Sequence, residues 1–598
     1  MKKTAVAPRN APASATPEVA WWQAPSAALS SLVVFVLALA VFANTFGHGF
    51  VWDDSVLLDQ KARFYRTWLD AWREPPGLPN MRMYRPLEMM TLWIDSRLWS
   101  SSSGYHVTQV LLHAVNGVLV LLLMRALGAL PWAAIAGAAL FVVHPVQVES
   151  VAWLTCRADI MTATFATSAT LAFVRHQAAP IWWTTPVILA AAFLATASKE
   201  TGSVTPLLLI VAALVLPMPA GGTAARLRRA APTLAASVVG VALCQLLRPA
   251  DVTTGVGRAP LALSDVVNLA GAFSYQLARV LGPIDFAPFV PTTPTDTAHL
   301  LLAAAGGTAL LAAFALAPVG TTGMLRFGIA WFAIAVAPAV AVVLADFSAT
   351  PVAERRLYLG MVGVAIITAT VLSSTRWSRS RGAAAVVAAI LALLAVVTIT
   401  RNAHWKNELT LWTAVTERLD SEPLPYLNLG LALADAGRPA EAEAAYRRGL
   451  ALRPNDVNRQ RLSINLGLIV VEQGKLDEAQ TLFTTANEIG GHAIAYRGLA
   501  LVARKRGQAA ARTGDTATAN AELTRALANA NQALAINPRY HQGHATLAGI
   551  LYDAGRYRDA LASYQRAAAL AGDTPGGRQA AAAAQELSTW LAAHPEAP

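Results

Sequence analysis

Cysteine is nearly absent: Cys156 and Cys244 are the only two in 598 residues. That argues against a disulfide-stapled secreted fold and against a cysteine-held metal module. Charge is the second scarcity. Asp, Glu, Lys and Arg make up 14% of the chain, where a soluble globular protein has about a quarter. Hydrophobic residues reach 55%, and the mean hydropathy is +0.43. Most of such a chain must face lipid. The charge that remains leans basic, with a net +11. Much of that excess lies in short Arg clusters between apolar runs, a mark of membrane topology, so nucleic acid is not expected as a partner.

The average hides a division near Thr400. Before it apolar runs dominate; after it the chain is Ala-rich, charged and punctuated by Gly and Pro. This predicts an all-α protein: a polytopic membrane domain over 27–402, preceded by a cytoplasmic tail over 1–26, then a soluble domain over 403–598. A span needs about 20 apolar residues. Eleven segments qualify: 27–46, 106–124, 131–148, 158–174, 181–198, 203–218, 232–248, 299–317, 326–345, 357–374 and 383–400. The first follows Lys2, Lys3 and Arg9 but lacks a clean cleavage site, so it is read as a retained span rather than a signal peptide.

Arg125, Arg175, the Arg226–Arg229 cluster, Arg326 and the Arg376–Arg381 cluster occupy every second loop. With Lys2 and Lys3 they put the N-terminus in the cytoplasm and the soluble domain outside it. Ser264 to Pro283 is apolar but carries Asp265, Asn268, Gln276 and Arg279. It reads as an interfacial or re-entrant helix on the exoplasmic side.

The first exoplasmic loop runs over 47–105. It opens with Phe50-Val51-Trp52-Asp53-Asp54, two adjacent carboxylates where the first span leaves the bilayer. Carboxylates held there between aromatic residues are costly unless something uses them. Leu58, Ala62, Tyr65, Leu69 and Trp72 then recur every three or four residues with charges between them, which predicts an amphipathic surface helix.

Beyond Leu424 the chain repeats itself. Leu429-Gly430, Gly437, Ala442, Tyr446 and Pro454 are echoed by Leu466-Gly467, Gly474, Ala479 and Phe483, and by Leu547-Ala548, Gly555, Ala560 and Tyr564. A degenerate copy with an insertion lies between, around Tyr496 to Pro538. Small residues at these offsets let two antiparallel helices approach closely, and the pattern resembles the tetratricopeptide repeat, an α-solenoid. Such arrays form grooves for peptides, so the repeats are expected to hold an acceptor or a partner.

The other polar groups of the membrane half gather at the exoplasmic ends of spans. They are Tyr84-Arg85, His106 and His113, His144 and Glu149, Arg157 and Asp159, Lys199-Glu200, and Glu354-Arg355-Arg356 with Tyr358. On the orientation above they share one face with Asp53 and Asp54. An acidic base beside Arg and Lys suits a reaction whose leaving group is a lipid phosphate. The carboxylate takes a proton from an attacking hydroxyl, and the cations stabilise charge growing on the phosphate.

"FVWDDSVLL", "MYRPLEMMTLWID", "YHVTQVLLHAVN", "HPVQVESVAWLTCRADIM", "SKETG" and "AERRLYL" occur in this order before the repeats. Together they resemble the transmembrane and tetratricopeptide-repeat-containing O-mannosyltransferase family, within the GT-C glycosyltransferase superfamily. The resemblance implies an inverting enzyme that moves a hexose, mannose in the family, from a polyprenyl phosphate to Ser or Thr hydroxyls of exported proteins. It also implies that an acidic pair in the first external loop carries the base. Asp53 matches its first member; Asp54, the second, would orient the acceptor or hold a divalent metal ion (Mg or Mn). Arg355, Arg356 and Lys199 would bind the lipid phosphate, and His106, His113, His144, Glu149, Arg157 and Asp159 would shape the sugar and acceptor pocket. Short loops and an Ala/Arg-rich composition look bacterial, which would place the chain in an inner membrane with its repeats in the periplasm. A GT-C enzyme acting on a lipid or envelope glycan, and a non-catalytic scaffold recruiting partners through its repeats, remain the alternatives.

Overall fold

The computed structural model describes residues 25–59, 65–73, 84–217, 222–249, 262–283, 288–316, 322–344, 350–374 and 381–596. Among them the secondary structure is helical throughout, as the all-α reading expects. The chain divides into two compact units, Met1–Leu411 and Trp412–Pro598.

In the first unit, six helices among the described residues are long and apolar enough to cross a membrane: Ala27–Gly47, Ser102–Ala126, Ala224–Leu246, Thr297–Leu316, Gly323–Leu344 and Gly382–Trp405. A seventh forms if Pro131–Val143 and Pro145–Ala152, bent by 45°, count as one. The remaining expected segments are also helical. Arg157–Ala178 is long but more polar, while Thr184–Ser198, Glu200–Val215 and Gly360–Ser373 are shorter. The Leu263–Leu281 helix is not among the spans.

The bend at His144 has a local cause. Pro145 has no N–H to continue the helix and pushes the residue before it out of the α region. His144 is accordingly extended (φ −70°, ψ 129°), and its Nδ1 accepts the Val146 N–H at 3.3 Å. The chain then makes three short pieces, Pro145–Gln147, Val148–Ala152 and Leu154–Cys156, before the Arg157–Ala178 helix. This broken stretch carries Glu149, Trp153 and Thr155.

The first loop departs from the single surface helix expected over Leu58 to Trp72. Helix is present over Asp54–Asp59 and Asp70–Arg73, residues 60–64 lie outside the described residues, and 65–69 are non-helical, bending and turning into Asp70. Asp70 is the reason. Its carboxylate accepts the Arg66 and Thr67 N–H groups at 2.7 and 2.8 Å, donors a continuous helix would need for its own ladder. Further on, Pro86–Leu98 is a helix with Pro86 in its first turn, a position where the missing N–H costs nothing.

The second unit stacks helix pairs: Pro423–Asp435 with Pro439–Ala451, Asp456–Glu472 with Leu476–Ile489, Ala493–Arg512 with Thr516–Ile536, and His541–Asp553 with Tyr557–Ala571. Pro575–Ala593 follows. The degenerate copy is thus a full pair whose insertion lengthens both helices. Each pair turns on a glycine with positive φ, +71° at Gly437 and +78° at Gly514, where any other residue would be strained. Gly430 allows the close approach that the repeat needs: a Cβ there would lie 2.2 Å from the Tyr446 ring.

Candidate active site

The acidic motif begins with a strained residue. Trp52 has φ +54°, a left-handed conformation disfavoured for a bulky side chain. Its contacts include a hydrogen bond and an aromatic stack. Its N–H donates to Glu408 Oε1 at 2.6 Å, and its indole stacks on Trp153, with centroids 4.7 Å apart and planes 9° from parallel. Trp405 lies against the other side of this aromatic group, 5.7 Å from Trp153.

The two aspartates that follow differ sharply. Asp54 is fully buried, and both its oxygens are engaged. Oδ2 accepts the Val51 N–H at 3.2 Å; Oδ1 accepts the Thr155 N–H at 2.9 Å and the Thr155 hydroxyl at 2.7 Å. Asp54 therefore ties the first loop to the broken 144–156 stretch. Burial pushes its pKa up to about 7, against the pull of those hydrogen bonds. Asp53 is half-buried, and among the described residues no hydrogen bond reaches its carboxylate. Burial raises its pKa as well, opposed by the positive charge of Arg355.

Arg355 is held from three sides. Glu149 accepts its Nη1 and its backbone N–H, the latter at 2.9 Å; Nη2 donates to Thr350 Oγ1 at 3.1 Å; and the guanidinium lies 5.1 Å over the Trp153 ring. Arg356 reaches back to the Pro351 carbonyl and, at 2.9 Å, to that of Thr350. Glu354 turns the other way, taking Arg401 and, at 3.7 Å, Arg279.

A second charged group adjoins this one. Lys199 donates to both oxygens of Asp159 at 2.6 and 2.7 Å. Arg85 pairs with Glu200 at 3.3 Å and lies 3.9 Å from Glu88. Buried Cys156 feels Arg355 and Glu149 from one group and Asp159 and Lys199 from the other, so the two are neighbours.

The remaining expected site residues make contacts within the protein, although His106 Nδ1 is buried with no hydrogen-bond partner among the described residues. Arg157 is fully buried, with Asp95 at 2.6 Å and Gln109 Oε1 at 3.0 Å. The Tyr358 hydroxyl receives from Asn116 at 3.1 Å and meets His113 Nδ1 at 2.7 Å, while His113 Nε2 reaches the Val142 carbonyl at 3.2 Å. His144 Nε2 faces the Val280 carbonyl at 3.2 Å. His106 faces the Gly49 carbonyl at 3.4 Å, and the Tyr84 hydroxyl donates to the Trp72 carbonyl at 3.3 Å. Sequence reading did not single out Thr155, Trp153, Asp95, Glu88 or Arg401, and took Arg279 only as a mark of an interfacial helix. Thr155, Trp153, Asp95 and Glu88 all lie inside quoted motifs, and Arg401 ends the last apolar run.

Asp54 already spends both oxygens on the Val51 and Thr155 donors, while the Asp53 carboxylate accepts no hydrogen bond from the described residues. Among the described residues, no three His, Cys, Asp or Glu side chains converge to hold a metal.

The tetratricopeptide repeat family matches residues 423–456. The chain is also similar to protein O-mannosyl-transferases. It is 30% identical to Tmtc2 of Drosophila melanogaster over 24% of this chain and 16% of that protein. It is 31% identical to TMTC3 of Mus musculus, over 29% and 20% of the two chains, and to TMTC4 of Homo sapiens, over 23% and 22%. The homology is distant and partial. The chain spans about a fifth of the length of these curated relatives. Such homology suggests a glycosyltransferase, here joined to several candidate membrane spans and a repeat array. Among solved structures, YrrB, a TPR protein with an unusual peptide-binding site, aligns over 30% of this chain and 82% of its own. Its TM-score of 0.21 and 18% identity are too low to carry an argument.

Proposed function

We propose that this chain is an inverting glycosyltransferase. It moves a hexose, mannose by analogy with its relatives, from a polyprenyl-phosphate carrier to Ser or Thr hydroxyls of exported proteins. Asp53 is the base. The observation that carries this reading is the contrast within the pair: Asp54 is used up as a structural tie, while Asp53 accepts no hydrogen bond from the described residues and faces Arg355.

In the reaction the acceptor oxygen attacks the anomeric carbon and gives its proton to Asp53. A carbon–oxygen bond forms to the acceptor, the bond from the anomeric carbon to the phosphate oxygen breaks, and the electron pair leaves with the lipid phosphate. A partly desolvated carboxylate of raised pKa is a better proton acceptor than an exposed one. Arg355 and Arg356 offer charge to the leaving phosphate, and a guanidinium suits phosphate oxygens through paired hydrogen bonds. Glu149, Thr350 and Trp153 fix Arg355 beforehand, so little reorganisation is needed during the reaction. In this reading His113, His144 and Arg157 act through helix packing rather than on the sugar, and no step runs through a metal. The repeats are the natural place to hold the acceptor chain.

The test is Asp53→Asn in purified protein supplied with polyprenyl-phosphate mannose and an acceptor peptide. The amide keeps the shape but cannot take the proton, so transfer should fall about 10²–10⁴-fold. Expression and membrane insertion should be unchanged. Near-normal transfer by the variant would remove Asp53 from the role.

A further inference from the structure

One buried hydroxyl is left over. Tyr275 lies in the Leu263–Leu281 helix, is 3% exposed, and its OH has no hydrogen-bond partner among the described residues. Its ring is well placed, packed on Ala272 and Val352 with the Arg279 guanidinium 5.2 Å above it. Beside it Gln276 Oε1 is also buried with no partner among the described residues, while its amide nitrogen reaches the Ala353 carbonyl at 3.4 Å. Val352 belongs to the 350–352 segment that Arg356 grips by its carbonyls, and Arg356 lies within electrostatic reach of Tyr275.

The helix also carries exposed apolar residues near its ends. Leu263, Val266 and Leu281 are exposed, 80%, 55% and 70%, while its middle is buried against the protein. An amphipathic helix of this kind lies in the headgroup region. Its buried side thus brings an unspent O–H donor to the depth of a lipid phosphate, next to a guanidinium.

We propose that the Tyr275 hydroxyl donates a hydrogen bond to the phosphate of the polyprenyl carrier, with the Leu263–Leu281 helix forming one wall of the donor site. This rests on the reading of the chain as a polyprenyl-phosphate-dependent transferase. A phenol facing an anionic oxygen makes a charge-assisted bond, stronger than a neutral one. That bond explains why a buried hydroxyl is kept where phenylalanine would pack equally well.

The experiment uses Tyr275→Phe in the full chain, reconstituted in nanodiscs and titrated with polyprenyl monophosphate. Carrier binding, unlike turnover, does not need Asp53, so transfer by Asp53→Asn tests the base assignment and this titration tests the Tyr275 one, each independently of the other. We expect the Phe variant to bind the carrier roughly tenfold more weakly. Its melting temperature without ligand should be unchanged or slightly raised, since no internal bond is lost. Unchanged carrier affinity overturns the proposal. So does a clear drop in melting temperature, which would mean the hydroxyl serves the fold. Two controls separate the sources of phosphate. Inorganic phosphate and phosphatidylglycerol nanodiscs should compete poorly; equal competition by either would overturn the assignment to the polyprenyl carrier.

Discussion

At the scale of single residues, the adjacent aspartates show how burial divides labour between identical side chains. Asp54 is enclosed and hydrogen-bonded, yet burial still outweighs those bonds and pushes its pKa up to about 7 from the ordinary 3.8. A carboxyl of raised pKa holds its proton better in the folded chain. Its contribution to stability is intact below the unfolded value and is lost as pH rises through the folded one. The window therefore runs from about 3.8 to about 7. We expect the melting temperature of the purified protein to fall between about pH 4 and about pH 7, and Asp54→Asn to flatten that fall. Glu88, pushed up to about 7 chiefly by burial, keeps a residual slope of the same sign. A slope identical in wild type and variant would mean that Asp54 does not titrate in this window. The variant also sets an amide N–H against the Val51 N–H, so its stability at low pH should be lower than that of wild type.

At the scale of elements, the buried pairs decide which helices can move. Arg157 and Asp95 are 0% and 3% exposed and join the Arg157–Ala178 and Pro86–Leu98 helices, with Gln109 of the Ser102–Ala126 helix as the third member. Removing one partner of such a pair strands the other charge, at a cost of about 3–5 kcal/mol. We predict that Asp95→Asn lowers the melting temperature by several degrees and that Asp95→Leu with Arg157→Met recovers most of it. No change in the single variant would show that Arg157 is solvated in the membrane-bound protein. This pairing also marks how far the sequence could be read. The gathering of polar groups at span ends, from Tyr84 to Tyr358, was visible in the sequence. Partners were not visible, because Asp95 meets Arg157, and Asp54 meets Thr155, only through tertiary folding. The first loop misled for a local reason: spacing from Leu58 to Trp72 was helical, but the Asp70 carboxylate took the backbone donors that a helix there required.

At the scale of the whole molecule, the open quantity is parity. The Arg-bearing loops alternate, and each added span inverts everything after it. The segment that matters is Leu263–Leu281. It is 19 residues long, carries Asp265 and Arg279, begins with the Ala262 N–H donating to the Asp265 carboxylate at 2.8 Å, and turns exposed apolar residues outward only near its ends. A helix with those charges is better matched to the interface than to the bilayer centre, where an ionised side chain costs about 2.5–3.5 kcal/mol or more. Read that way, it leaves the chain beyond Thr400 opposite Lys2 and Lys3. Alkaline phosphatase, which folds only where disulfides form, should then be active when fused after Pro598 and inactive when fused after Arg228. The Arg228 fusion reports on spans upstream of the helix and the Pro598 fusion on those downstream, so the two together locate an error. Inactivity at both sites would mean that the Leu263–Leu281 helix crosses the membrane. The repeats would then face the cytoplasm, exported proteins could not be their ligands, and the acceptor would have to be sought among membrane lipids or envelope glycans.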